Sequence, residues 1–123
     1  MVKAYAGVVG VLFLLLGVIG FFMKELFGMI HFDLTHNIIH LVFGAIGIAA
    51  MRTDDNAVRF AKSIGVLYVA LGLLGMVSPN MFGLMHMENA ENVIHLIIGV
   101  IGLYLGFTAA QTIQTIKLKS KMN

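Results

Sequence analysis

Cysteine is absent from this 123-residue chain, and proline occurs once. Without cysteine there is no disulfide, no thiolate metal site and no thiol catalysis. Charge is scarce too, at 11% of residues, where soluble domains carry about 25%. The formal net charge of +2 is too small and too dispersed to indicate nucleic-acid binding. What is abundant is apolar: 59% of residues are hydrophobic and the mean hydropathy is +0.95, which predicts a chain solvated by lipid.

Long apolar segments predict four transmembrane helices in a single membrane domain over residues 1–123. About 20 residues cross a hydrocarbon core roughly 30 Å thick, so the two shorter segments must recruit flanking residues. The first segment follows Lys3 as a signal peptide would, but no small-residue cleavage site comes after it, and we interpret it as a retained helix. The four predicted spans are Ala4–Met23, Ile38–Met51, Ile64–Val77 and Val93–Ala110.

Polar residues mark where these helices begin and end. Pro79 cannot continue a hydrogen-bonded helix, so the third span should end near it. Asp33 and Glu88 are placed to begin the second and fourth helices, where a carboxylate accepts unpaired N–H groups. The connectors Leu26–Phe32 and Met81–Met87 are apolar with one glycine each, and we expect them to lie at the membrane interface.

The chain matches itself without gaps when its second half is laid over its first, which predicts an internal duplication with repeats at 5–51 and 60–106. Each unit has two spans, so both copies point the same way through the bilayer, as two tandem helical hairpins in a parallel repeat. The clearest match is Asn37-x-x-His40-Leu41-x-x-Gly44-x-x-Gly47 with Asn92-x-x-His95-Leu96-x-x-Gly99-x-x-Gly102.

Basic residues predict the orientation, because short cytoplasmic segments are enriched in Lys and Arg. Only Lys24 lies on the side opposite the termini and the central loop. Both termini are therefore predicted to be cytoplasmic, with all five histidines in or just below the outer connectors. The basic residues on the cytoplasmic side are Lys3, Arg52, Arg59, Lys62, Lys117, Lys119 and Lys121.

The repeated polar stripe has two interpretations. Asn and His hydrogen-bond across helix contacts and glycines let backbones approach, so the stripe could simply join the hairpins. Alternatively, two histidines at matching depth could ligate a tetrapyrrole, either haem or (bacterio)chlorophyll, with small neighbours making room for the macrocycle. The candidate cofactor-binding residues are His40, His95, Asn37, Asn92, Gly44 and Gly99.

Other possible functions depend on fewer residues. Imidazole and carboxylate groups suit a divalent metal ion, and an outer-surface site would use His31, Asp33, His86 and Glu88. A small oligomeric channel or transporter is a further alternative, although charged residues near the midplane are missing. No nucleophile with an orienting base is recognisable, so catalysis is not expected.

The duplicated Asn-x-x-His-Leu-x-x-Gly-x-x-Gly motif, each copy behind a glycine-rich first helix, resembles a bacterial membrane family classified as domain of unknown function 4383. The resemblance covers Tyr5 to Gly106 and implies four spans, but no activity, substrate or cofactor.

We therefore expect a non-catalytic integral protein of a bacterial inner or thylakoid-type membrane, serving as a structural or accessory subunit. Its expected partners are lipids and either other membrane-protein subunits or further copies of itself, with no nucleic acid.

Overall fold

The structure is a computed structural model that describes residues 1–83 and 85–123. Leu84, part of the predicted connector Met81–Met87, lies outside the described residues. Within the described chain there are four α-helices, two short strands and one 3-10 turn. The helices are α1 (Val2–Ile19), α2 (Leu34–Ala50), α3 (Asp54–Val77) and α4 (Asn89–Met122). The predicted four-helix, all-helical architecture is confirmed.

The helix bounds differ from the apolar segments at several ends. α1 stops at Ile19, before Met23, because the chain turns at Gly20 to Phe22. α3 begins well before Ile64, since the Thr53 hydroxyl caps it by accepting from the Asn56 N–H. α4 runs on past Ala110 through polar residues to Met122. Hydropathy locates apolar segments, whereas helices continue until a cap or a turn ends them.

Three helices are long and apolar enough to cross a membrane: α1, α3 and α4. α2 is apolar too, but its 17 residues rise only about 25 Å at 1.5 Å per residue. The 34 residues of α4 rise about 51 Å, so this helix exceeds a hydrocarbon core by several turns.

The predicted helix starts are confirmed, and Asp33 acts as the predicted cap, whereas the cap of α4 runs through Glu91. Asp33 precedes α2 and its carboxylate accepts the His36 N–H at 2.7 Å. Glu88 precedes α4, and its own N–H donates to the Glu91 carboxylate at 3.0 Å. α3 ends at Val77, immediately before Ser78-Pro79. Each cap satisfies N–H groups that have no partner inside the helix.

The connectors contain a feature that the all-α prediction missed. Strands β1 (Glu25–Leu26) and β2 (Ile30–His31) pair antiparallel in a short hairpin, and Met81–Gly83 forms the 3-10 turn. At the tip of the hairpin Phe27 and Gly28 have φ of 55° and 65°, while Phe82 and Gly83 have φ of 59° and 86°. Positive φ is uncommon for phenylalanine, and the same dipeptide adopts it in both connectors.

Glycines set how closely the helices pack. α1 lies mainly along α2, and α3 along α4. A Cβ atom on Gly44 would lie 2.7 Å from the Leu14 backbone nitrogen, and one on Gly99 would lie 2.7 Å from the Val69 nitrogen. Both distances are too short for non-bonded atoms, so these positions need glycine for the backbones to approach.

The centre of the bundle is formed by α1 and α3. Phe13 stacks on Tyr68, with ring centroids 5.2 Å apart and planes 20° apart. The Tyr5 hydroxyl donates to the Ile98 carbonyl at 2.8 Å, which joins α1 to α4. Around these aromatic rings pack small and branched side chains, among them Ala6, Ala57, Ala61 and Ile64. This core closes the bundle below the polar end described next.

Candidate functional site

Four ionisable side chains are buried together near the end of the bundle that carries the two connectors. They are His36 and His40 of α2 and Glu91 and His95 of α4, and each exposes 6% or less of its surface. His36 and Glu91 are the third residues of their helices, and the other two follow one helical turn later. Buried ionisable groups are costly in a membrane unless they are paired, and they are therefore candidates for a function.

The start of each helix fixes the position of this buried cluster. The Asp33 cap orients the first turn of α2, which carries His36. In α4 the N–H of Glu88 holds one oxygen of Glu91, its Oε2, at 3.0 Å. The other oxygen, Oε1, is left free to face α2.

His36 and Glu91 are the point of contact between α2 and α4 in the cluster. His36 Nδ1 lies 3.7 Å from Glu91 Oε1 and 3.3 Å from the His31 carbonyl oxygen. Its ring packs on the His40 ring with centroids 4.3 Å apart, and it lies 6.1 Å from the His95 ring. The separation of His36 from the Glu91 carboxylate is too long for a hydrogen bond but short enough for an ion pair.

Aromatic rings close the inner side of the cluster. Phe13 packs on His40 at 5.2 Å between centroids, and Tyr68 meets His95 edge-on at 4.8 Å. Because Phe13 and Tyr68 also stack on each other, the two histidines rest on a continuous aromatic layer. Deeper access from the cluster into the bundle is therefore blocked.

Several polar atoms in this region are buried and have no hydrogen-bond partner among the described residues. Within the cluster they are His40 Nδ1, His95 Nδ1 and Glu91 Oε1. Buried polar atoms are rarely left without a partner, and each such atom needs an explanation. The cluster surrounds a cavity of about 30 Å³, whose remaining lining is apolar. That volume corresponds to about one water molecule.

A second group of ionisable side chains lies on the surface above the cluster. Glu88 Oε1 is 3.1 Å from His86 Nε2 and 3.5 Å from His31 Nδ1. His31 Nε2 is in turn 3.6 Å from Glu25 Oε2. These side chains are partly exposed, and they bring the two connectors into contact.

Comparison with known proteins gives a family and nothing more specific. The family model described as Domain of unknown function (DUF4383) matches residues 3–108. The chain belongs to this family. No curated protein and no solved structure matches it.

In this DUF4383 chain, four of the six predicted cofactor-binding residues are used in helix packing instead. The Asn37 side chain fills the space that a side chain at Gly20 would need, and Asn92 does the same at Gly75. Gly44 and Gly99 face the backbones of α1 and α3. None of the four lines the cavity of the buried cluster.

The two predicted axial ligands, His40 and His95, do share the cluster, but they point inward and are almost fully buried. Cavities for larger organic ligands measure about 300–1,000 Å³, whereas this one has about 30 Å³. A haem or chlorophyll macrocycle does not fit between these histidines in this packing. The residues around this cavity therefore do not fit a tetrapyrrole.

Only three of the four predicted metal ligands lie close together. His31, His86 and Glu88 come together at the surface, while the Asp33 carboxylate is engaged as the cap of α2. Within residues 1–83 and 85–123, no group of three or more His, Cys, Asp or Glu side chains is arranged to hold a metal ion.

Sequence reasoning missed His36 and Glu91. They occupy equivalent positions in the two repeats, and because one is histidine and the other glutamate, the position did not look shared by the copies. The signal that could have found them is their spacing: each precedes a motif histidine by four residues, which places both members of each pair on one helix face.

Proposed function

We propose that this DUF4383 chain is a non-catalytic integral membrane protein, built as two tandem helical hairpins, that serves as an accessory subunit of a larger membrane complex. One observation carries the proposal: polar side chains are buried inside the bundle while apolar side chains cover its outside. On α1, for example, Val8, Leu12 and Leu15 are about half exposed. In water such a surface would be costly, but in lipid or against other membrane helices it is favourable.

The hairpin arrangement is supported by contacts that recur at equivalent positions of the two repeats. Gly20 with Asn37 corresponds to Gly75 with Asn92, and Gly17 with Leu41 corresponds to Gly72 with Leu96. Residues at equivalent positions also meet across the centre, since Phe13 contacts Tyr68, His31 contacts His86 and His36 contacts Glu91. A twofold relation between the repeats accounts for all of these contacts.

The proposed orientation has both termini in the cytoplasm. Lys3 Nζ lies 4.0 Å from Asp54 Oδ1, and Lys117 Nζ lies 3.8 Å from Asp55 Oδ1. These ion pairs gather the N-terminus, the start of α3 and the last turns of α4 at one basic end. The positive-inside rule assigns such an end to the cytoplasm.

An accessory role follows from what lies outside the helices. The connectors are short, and the C-terminal turns of α4 are the main extension beyond the bundle. Apart from the four ionisable side chains, the cavity of the buried cluster is lined by apolar residues: Phe13, Leu16, Ile30, Ile94 and Ile98. We therefore infer that the chain acts by binding and assembly with other membrane helices.

Single-cysteine labelling tests the membrane placement, because the chain has no cysteine of its own. Lys24→Cys lies in the outer connector and Lys119→Cys near the C-terminus of α4; both positions are exposed. We expect an impermeant maleimide to label the first variant in intact cells and the second only after permeabilisation. Ala61→Cys, which is fully buried, is the matched control that stays unlabelled until denaturation. Equal labelling of both exposed positions in intact cells, or release of the chain by alkaline carbonate, would contradict the placement.

A further inference from the structure

The buried cluster has a chemistry that the accessory role does not use. Its cavity holds about one water molecule, and the described side chains form no metal-binding group. Organic ligands are therefore too large for it. The ligand class that fits is the smallest one that imidazole and carboxylate groups bind, which is a proton, with room for one water molecule to bridge.

We propose that His36 and Glu91 form a proton-binding site that is loaded from the outer end of the bundle. The proposal rests on the membrane placement proposed above. Its geometric basis is the 3.7 Å separation of His36 Nδ1 and Glu91 Oε1, together with the burial of Glu91 Oε1 without a hydrogen-bond partner among the described residues.

The proton balance of the pair is simple. A neutral imidazole beside an ionised carboxylate leaves one uncompensated negative charge in a buried site, which is costly. Uptake of one proton gives either a neutral imidazole with a carboxylic acid or an imidazolium with a carboxylate, and both states are neutral overall. Release returns that proton to water at the outer surface, and no other bond changes.

The surroundings favour exchange at the outer end alone. His36 and Glu91 are in the first turn of their helices, and the partly exposed His31, His86 and Glu88 lie above them. On the inner side, α1 contributes Phe13 and Leu16, which do not titrate. From α3 the only titratable group that reaches the cluster, among the described residues, is the buried Tyr68 against His95. A proton that binds at this site is therefore released to the same, outer side and is not conducted through the bundle.

The duplication strengthens this inference. The gapless match between the two halves places His36 and Glu91 at equivalent positions. Histidine in one copy and glutamate in the other form a complementary acid–base pair at the point where the repeats meet. The other pairs that meet across the centre stay alike in character, as Phe13 with Tyr68 and His31 with His86 do.

Proton uptake by the purified full chain in lipid nanodiscs tests the site. Wild-type protein should show a carboxyl band in pH-difference infrared spectra that disappears in Glu91→Gln and shifts in His36→Asn. Glu91→Gln should also take up one proton fewer in an acid titration of unbuffered protein. Glu25→Gln, an exposed carboxylate, is the matched control and should leave the buried-carboxyl band unchanged.

Because a single substitution could disturb folding, a double variant keeps the test decisive. Exchanging the two residues, His36→Glu with Glu91→His, retains one imidazole and one carboxyl at the contact and should restore the band and the proton count. The proposal is overturned if folded Glu91→Gln titrates like wild type, or if the exchanged pair binds no proton while remaining folded. These measurements use the isolated chain, so their failure is distinguishable from failure of the membrane labelling or of complex formation.

Discussion

Glycine and asparagine determine how close α1 lies to α2 and α3 lies to α4. Asn37 and Asn92 are polar and deeply buried, yet their side chains occupy the space beside Gly20 and Gly75. The same motif was open to a ligand-binding interpretation because sequence spacing gives the helix face but not what covers it. The repeated Asn and Gly residues pack the helix contacts, while Asn37 Oδ1 and both side-chain polar atoms of Asn92 have no hydrogen-bond partner among the described residues.

Gly44→Ala tests the packing role. The added Cβ would meet the Leu14 nitrogen at 2.7 Å and the Gly10 carbonyl oxygen at 2.8 Å; backbone atoms cannot rotate away, so α1 and α2 must separate. We expect a loss of about 1–3 kcal/mol, as for other overpacked sites, seen as a lower midpoint of thermal unfolding in detergent. Ala45→Val, at the adjacent exposed position, should change the midpoint little. Equal midpoints for both variants would show that the glycine does not set the helix contact.

At the scale of helices and connectors, the sequence predicted where helices begin better than where they end. Asp33, Glu88 and Pro79 mark boundaries through local chemistry, and the structure places the boundaries there. The predicted ends of α1 and α4 were wrong because hydropathy indicates which residues are apolar, and a helix can end before or after the apolar segment does. The β1–β2 hairpin was missed because it depends on two residues with positive φ, Phe27 and Gly28, and phenylalanine gives no sign of that conformation.

Removing the α2 cap tests how the buried cluster is held in place. In Asp33→Ala the His36 N–H loses its acceptor at 2.7 Å, which should cost about 0.5–2 kcal/mol. The variant should also broaden or shift the His36 side-chain resonances in nitrogen-15 spectra, since this cap positions His36. Asp54→Ala, an exposed residue in the first turn of α3, is the control, because exposed ion pairs contribute little. An unchanged His36 signal in Asp33→Ala would refute the positioning role.

At the scale of the whole molecule, the sequence could not predict which residues of the two halves are in contact. Composition predicted a lipid-facing chain and the match between the two halves predicted equivalent positions, but neither says which equivalent residues touch. Contact between His36 and Glu91 depends on how α1 and α3 pack through Phe13 and Tyr68, and this packing joins residues far apart in the sequence. Positions that differ between the repeats therefore looked unimportant before the fold was known.

Native mass spectrometry of the tagged chain, released from its own membrane together with the surrounding lipid, tests the proposed accessory role most directly. We predict an assembly whose mass is not a whole multiple of the 13.4 kDa chain. This chain and at least one different polypeptide should dissociate from it in a fixed ratio. A solitary chain, or an assembly containing only copies of it, would contradict the proposed accessory role.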